Sequence, residues 1–385
     1  MTPSIQIILT FFIGLILVLV SVPVIVRLSK EKKLFDMPNE RKVNKTGIPN
    51  LGGIALFIGI TIATLLGLHR FIFPDLRYIL VGMIILFFVG IKDDILIISP
   101  RKKLLAQILS ALILIIAGNI RFTDLHGILG VHEINYITSV VLSLVIIVAL
   151  INALNLIDGI DGLAASLSML AALSFGIQFL IMGQFQYAVL CFSVVGSLSA
   201  FFFYNVFGKK NKIFMGDTGS LLLGLLIAVI AIKFNEFSLT HTARMSSFSP
   251  ALSLAIVAVP IFDMIWLFIH RLRKKKSPFS PDMNHIHHKL LKLNLSHLQS
   301  TLIIVGINLI FIAAAYAFRS LNNNILFALL FVLGIFFTNL PSLVYEYIKS
   351  KKSNAKKAQL NLTFMPFKNY SANRPSETSQ KEGSE

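Results

Sequence analysis

The chain holds a single cysteine, Cys191, among its 385 residues. That excludes a disulfide within the chain and any cysteine-based metal centre. Charge is also scarce: Asp, Glu, Lys and Arg together make 14% of the residues, while 55% are hydrophobic and the mean hydropathy is +0.78. Soluble domains seldom reach that apolar content, so the composition excludes an ordinary soluble fold. There is no internal repeat. No Lys or Arg precedes the first apolar run, Ile5 to Leu28, which is longer than a signal-peptide core and has no obvious cleavage site; a retained span is expected there.

What the chain does have is a series of apolar runs near the length that crosses a bilayer, about 20 residues. Eleven spans are expected, at 5–28, 51–68, 77–91, 104–119, 138–151, 163–182, 186–207, 218–232, 250–270, 299–317 and 325–348. The fold class is therefore all-α and polytopic. Residues 1–348 form the membrane domain, and the polar, Lys- and Ser-rich stretch 349–385 reads as a disordered tail. Its lysines Lys349, Lys351, Lys352, Lys356 and Lys357 suit an anionic lipid surface.

The net charge of +17 raises nucleic acid as a partner, but its distribution argues against one. All but six of the 35 Lys and Arg fall at or in the odd-numbered connections and the tail; the exceptions are Arg70, Arg77, Arg121, Lys233, Arg244 and Arg319. The positive-inside rule then places the N-terminus outside and the odd connections and tail in the cytoplasm. Every unusual motif maps to that same side, so the chemistry is expected on the cytoplasmic face.

One motif is NALNLIDGIDGLAAS, Asn152 to Ser166. Asn152, Asn155, Asp158 and Asp161 recur every three residues, which on a helix makes one polar stripe. Helix caps and Gly stops would explain one Asp-Gly, but not four polar residues in register. Carboxylates at a membrane edge are costly and mark functional sites. Asp93 and Asp94 end the third run; adjacent residues point differently, so they are expected to do different jobs. MGDTGS opens the eighth run with Asp217 ahead of Thr218, either an N-cap or a helix start suited to phosphate. His285, His287 and His288 follow Asp282. With no cysteine, and with Arg271, Arg273 and Lys274–Lys276 nearby, they suit an anion better than zinc. Carboxylates and an Asn suit a hard cation such as Mg²⁺, with Mn²⁺ as a substitute. The sum is phosphoryl transfer onto a lipid phosphate, assisted by Mg²⁺.

These motifs, in this order over roughly residues 5–345, resemble the polyprenyl-phosphate N-acetylhexosamine-1-phosphate transferases. The H-I-H-H form is similar to the branch that transfers GlcNAc-1-phosphate to undecaprenyl phosphate; the peptidoglycan branch, which transfers phospho-MurNAc-pentapeptide, typically has three consecutive histidines. The resemblance implies a UDP-N-acetylhexosamine donor, UMP release and a lipid-diphosphate sugar as product. It implies Asn155 and Asp217 as Mg²⁺ ligands, and Asp93 and Asp94 near the acceptor phosphate and metal. It places Asp161 near the uracil with Asp158 beside it and Asn152 on the same wall. Phe214 would stack on the base, Lys45 would line the nucleotide pocket, and the histidines would close over the sugar diphosphate. Two departures bear on donor recognition: Asn44 stands where a His usually follows Arg41 and Lys42, and Met283 follows Asp282 where Arg or Lys is common. A transporter is the non-enzyme alternative, which would need acids mid-span; only Asp263 lies there, and it is expected to have a partner. A second copy of the chain remains an open partner.

Overall fold

The computed structural model describes residues 2–34, 47–68, 71–96, 98–241, 243–275 and 284–363. Lys45, Asp282 and Met283 lie outside them, as do the departures at Arg41 to Asn44. The described chain is helical almost throughout, because long Leu, Ile and Val runs in a low-dielectric setting must satisfy every backbone group internally. In chain order the helices are α1 (Pro3–Glu31), α2 (Gly52–Gly67), α3 (Leu76–Leu96), α4 (Pro100–Leu112), α5 (Tyr136–Ile157), α6 (Leu163–Ile181) and α7 (Phe185–Phe202). They continue with α8 (Gly216–Leu239), α9 (Ala243–Ile256), α10 (Ala258–Arg273), α11 (Ile286–Leu291), α12 (His297–Ala317) and α13 (Asn323–Thr363). Wider π turns, Ile113–Ala117 and Phe203–Phe207, extend α4 and α7. A two-stranded antiparallel hairpin, β1 (Asp124–Ile128) and β2 (Val131–Glu133), sits between α4 and α5.

Among the described residues, seven helices are long and apolar enough to cross a membrane: α1, α5, α6, α7 with its π turn, α8, α12 and α13. The pair Phe248–Ile256 and Ala258–Arg273, bent by 75° at Val257, makes up to eight. The chain is a multi-pass membrane protein. Three of the eleven expected spans fall short for physical reasons. α2 has 16 residues, and α4 opens on Arg101, Lys102 and Lys103. α3 has the length but carries Lys92, Asp93 and Asp94 at its end. On α1 the positions Ile8, Phe12, Ile16, Val20, Val24 and Leu28 form an exposed apolar stripe, while Val18, Val22 and Val26 are buried. An apolar outer face belongs against lipid, not water.

α8 is the axis. Its 24 residues span about 36 Å at 1.5 Å per residue, and it is the most buried of the seven. α3 packs against it closely at Gly90, where a Cβ would lie 2.4 Å from the Thr218 backbone. Small residues at such crossings let helices meet at backbone distance. The contact delivers the end of α3 onto the start of α8. At the far end of α8, Lys233 pairs with Asp75 at 2.8 Å, and Glu236 accepts from Thr123 N at 2.8 Å and Thr123 Oγ1 at 2.7 Å.

The chain divides into two compact units between Pro341 and Ser342, inside α13. The expected boundary at 348/349 also falls inside that helix, which continues to Thr363.

Candidate functional site

The start of α8 has its own anion. Asp94 Oδ1 accepts from Asp217 N at 2.7 Å, and Asp94 Oδ2 accepts from Thr218 N at 3.0 Å and Thr218 Oγ1 at 2.6 Å. The first amides of a helix are orphan donors at the positive end of its dipole. Here a carboxylate from α3 caps them, and the Asp217 side chain does not. With both oxygens committed, Asp94 sets where the Asp217 side chain points.

That side chain joins a cluster of oxygens around one ammonium. Lys103 Nζ lies 2.7 Å from Asp217 Oδ2, 3.1 Å from Asp93 Oδ2 and 3.3 Å from Asn155 Oδ1. Asn155 Nδ2 donates to Asp217 Oδ1 at 2.5 Å and to Ser220 Oγ at 2.8 Å. Asp93 Oδ1 accepts from Ile98 N at 2.7 Å, which ties the α3–α4 connection to the cluster. No sequence motif marks Lys103 as part of this cluster. The spacing held a signal: Lys103 and Gln107 are one turn apart on α4 and face Asn155 and Asn152 on α5. The second rung is Asn152 Nδ2 to Gln107 Oε1 at 2.7 Å. Asn152 therefore sits one turn deeper, engaged with Gln107.

The expected four-residue stripe breaks. α5 ends at Ile157, and Asp158, its C-cap, has ψ 58°. Gly162, at φ 80°, then opens α6 in a left-handed conformation. Only Asn152 and Asn155 share the helical face. Asp161 turns away to a separate knot, where its Oδ2 meets Lys212 Nζ at 2.7 Å and His297 Nδ1 at 3.1 Å, and its carbonyl accepts from Thr301 Oγ1 at 3.1 Å. Burial opposes its ionisation, but the hydrogen bonds and charges of His297 and Lys212 outweigh burial and hold its carboxyl below the usual range.

Asp158 is the opposite case. No hydrogen bond reaches its carboxyl among the described residues. Burial first, then the charges of Asp217, Asp94 and Asp161, push its pKa up to about 8. Across the window from the unfolded carboxylate value, about 3.9, to about 8, the folded protein binds a proton that the unfolded chain does not. The stability from that proton is lost as pH rises through the folded value. Asp158→Asn is therefore expected to raise the melting temperature of the purified protein, and by more at pH 8.5 than at pH 6. Thermal unfolding at both pH values checks this; an equal shift at the two would contradict it.

Beside Asp158 sits the histidine segment. The His287 ring rests on Gly159, where a Cβ would meet His287 Nε2 at 2.2 Å. Its two ring nitrogens are buried and have no hydrogen-bond partner among the described residues. Burial, then the neighbouring His288, His285 and His297, hold its pKa well below the ordinary imidazole value. The His287 ring lies 5.1 Å from that of His285 and 4.3 Å from that of His288. Asp263 has the partner expected of it, His285, with Nδ1 2.8 Å from Asp263 Oδ2. Phe214 is held by its backbone: its N–H donates to Pro49 O at 2.8 Å, and its carbonyl accepts from Gly52 N at 3.0 Å.

The structure thus brings Asp93, Asn155 and Asp217 together around Lys103, sets Asp94 behind them, and lays the His287 ring on Gly159 with His285 stacked on it. Among the described residues no three His, Cys, Asp or Glu side chains converge as a metal site. Yet Asp93, Asp217 and Asn155 all turn an oxygen to one cation. Two carboxylates and an amide are a donor set that fits Mg²⁺, which takes its remaining ligands from water and phosphate.

Residues 76–235 match the model of the glycosyl transferase family 4. The chain is 34% identical over 333 residues to a probable undecaprenyl-phosphate N-acetylglucosaminyl 1-phosphate transferase of Bacillus subtilis, covering 86% of this chain and 90% of that one. It is 37% identical over 275 residues to an undecaprenyl-phosphate α-N-acetylglucosaminyl 1-phosphate transferase of Pasteurella multocida, covering 70% and 75%. The Escherichia coli K12 protein of that same description is 31% identical over 281 residues, covering 72% and 74%.

Proposed function

The chain belongs to glycosyl transferase family 4, and from that premise we propose that it transfers GlcNAc-1-phosphate from UDP-GlcNAc to undecaprenyl phosphate. UMP is released, and the product is the lipid-diphosphate sugar that starts an envelope polysaccharide. The observation that carries the reading is the oxygen cluster of Asp93, Asp217 and Asn155 around a cation at one end of the helix bundle.

An acceptor phosphate oxygen forms a bond to the donor's β-phosphorus, and the bond from that phosphorus to the bridging oxygen breaks, leaving on UMP. Asn155 and Asp217 would hold Mg²⁺. When bound, the ion supplies charge neutralisation at the diphosphate. Asp94 keeps Asp217 aimed by capping α8. Asp93 holds Lys103 and the α3–α4 connection, so a second positive charge waits beside the metal ligands. Phe214, Asp161 and Lys45 serve the nucleotide side, and the histidine stack covers the Asp158–Gly159 turn toward the sugar diphosphate. The acids gather where α3 and α5 end and α8 begins, which supports a surface reaction over a mid-membrane transport path.

The basic connections support a cytoplasmic site in a bacterial inner membrane, with the N-terminus outside and eleven crossings once α2, α3 and α4 are counted. The test is UMP release from a panel of UDP-sugars, in membranes supplied with undecaprenyl phosphate. UDP-GlcNAc is the expected donor, and the phospho-MurNAc-pentapeptide donor is expected to be inert, because the histidine motif reads H-I-H-H. Transfer of the pentapeptide donor alone would refute the branch assignment.

A further inference from the structure

We propose that Asp263 is a positioning residue for the transfer reaction: from inside α10 it fixes the His285 ring, and with it the histidine stack, against the Asp158–Gly159 turn. The proposal rests on the phosphosugar-transfer reading above. Asp263 is 2% exposed and borders an apolar cavity with Phe262, Ile307, Phe311 and Phe337. A carboxylate in such surroundings is costly unless it is fully paired. Both of its oxygens go to adjacent residues of one segment. Oδ2 faces His285 Nδ1 at 2.8 Å, and Oδ1 accepts from Ile286 N at 2.8 Å. One side chain thereby fixes both the ring and the backbone that carries it.

Asp263 is itself held in place. The break at Val257 turns α10 by 75° from the helix before it and frees backbone groups in the interior. Asn308 of α12, fully buried, answers them: its Oδ1 accepts from Val259 N at 3.1 Å, and its Nδ2 donates to Ile256 O at 2.9 Å. About one turn further along α10 stands Asp263. The direction of the bend therefore sets the direction of the carboxylate.

The chemistry goes beyond docking. A carboxylate only accepts, so His285 Nδ1 carries the proton, and Nε2 is left as the ring's second functional atom. A buried carboxylate behind an imidazole also stabilises its cationic form, the logic by which an Asp supports a catalytic His. The ring is stacked on His287 with an interplanar angle of 17°, and His287 rests on Gly159. A chain of contacts thus runs from α10 to the turn that bears Asp158. An Asn at 263 would still accept from the Ile286 amide but would put no charge behind the ring.

The experiment uses the purified full-length protein in lipid nanodiscs, with UDP-GlcNAc and undecaprenyl phosphate. Asp263→Asn is expected to lower kcat by about 20-fold or more, within the range of a lost acid–base or charge-supporting group, with each KM moving less than about threefold. In the His285→Gln background the same substitution is expected to cost less than about twofold, because residues acting through one another are not additive. Asp263→Glu, which keeps the charge, is expected to recover part of kcat. Full additivity, or a folded Asp263→Asn protein within about threefold of wild type, would overturn the proposal. A readout free of Asp263 variants is the ¹⁵N spectrum of histidine-labelled protein. The signal lost in His285→Gln should show a proton on Nδ1; a ring protonated on Nε2 alone overturns the proposal even if every Asp263 variant misfolds. A wild-type protein that transfers no GlcNAc-phosphate would instead sink the functional reading, and the tautomer would still decide the pairing.

Discussion

Asp217→Asn is expected to reduce UMP release by about 10³-fold or more, equivalent to roughly 4 kcal/mol of transition-state stabilisation. The substitution keeps the volume and removes the charge. In the wild type, Asp217 meets Lys103 at 2.7 Å and Asn155 at 2.5 Å, and its own backbone N–H is fixed by Asp94. The variant would retain the cap, because Asp94 binds backbone and Thr218, so the helix start should stay where it is. What it loses is the strongest hold on Lys103 and, on the reading proposed above, the anionic ligand of Mg²⁺. Phosphoryl transfer depends almost wholly on positioning and charge neutralisation, so removing one such group is severe. Two measurements separate this from a folding defect. The variant should keep the wild-type melting behaviour, and wild-type activity should vanish in EDTA and return with added Mg²⁺. Full wild-type activity in EDTA, or a variant keeping more than about a tenth of turnover, would sink the assignment.

The sequence showed the helices and the chemical class because both rest on local signals. Apolar runs mark spans, and polar residues at a span's edge are anomalies that need a reason. What it hid is relational. Asp93 and Asp94 read as an acidic pair, yet one holds Lys103 and the other caps a helix more than a hundred residues away. No property of either residue distinguishes them; only the packing of Gly90 on Thr218 does. Lys103 was hidden for a different reason. In PRKK it looks like one more cytoplasmic basic residue, and only its pairing with Asp217, Asp93 and Asn155 sets it apart from Lys102. Asp161 kept the period of the stripe in sequence, but α5 ends at Ile157 and Gly162 already opens α6, and a period has meaning only while the helix lasts. The crossing number blurred because the helices that carry chemistry carry charge. Lys92, Asp93 and Asp94 make α3 a poor membrane segment by composition, while its Ile79, Met83 and Leu86 are buried against the bundle.

Asp93→Asn is expected to lower turnover by about 10²–10³-fold, the range for losing one charge-positioning group, with no recovery as pH rises from 7 to 9. Two roles compete with the positioning role. A covalent route would make Asp93 the nucleophile, and a general-base route would have it take the acceptor's proton. The geometry disfavours the first: Oδ1 is held by Ile98 N at 2.7 Å and Oδ2 by Lys103 at 3.1 Å, so neither oxygen is poised for attack on phosphorus. Magnitude disfavours the second. A phosphate monoester has a second pKa near 6, so at pH 7 roughly nine in ten acceptors are already dianions. Deprotonating the rest gains well under 0.1 kcal/mol, since a tenfold change is about 1.4 kcal/mol. General bases reach about 10²–10⁴-fold only where the nucleophile starts protonated. If Asp93 were that base, raising the pH would supply the dianion and rescue the variant. If it instead anchors Lys103 and the α3–α4 connection, added hydroxide restores nothing. Single-turnover assays decide the remaining route: direct attack releases no UMP until acceptor lipid is present, whereas a burst of UMP with labelled sugar phosphate trapped on the protein would establish a covalent intermediate.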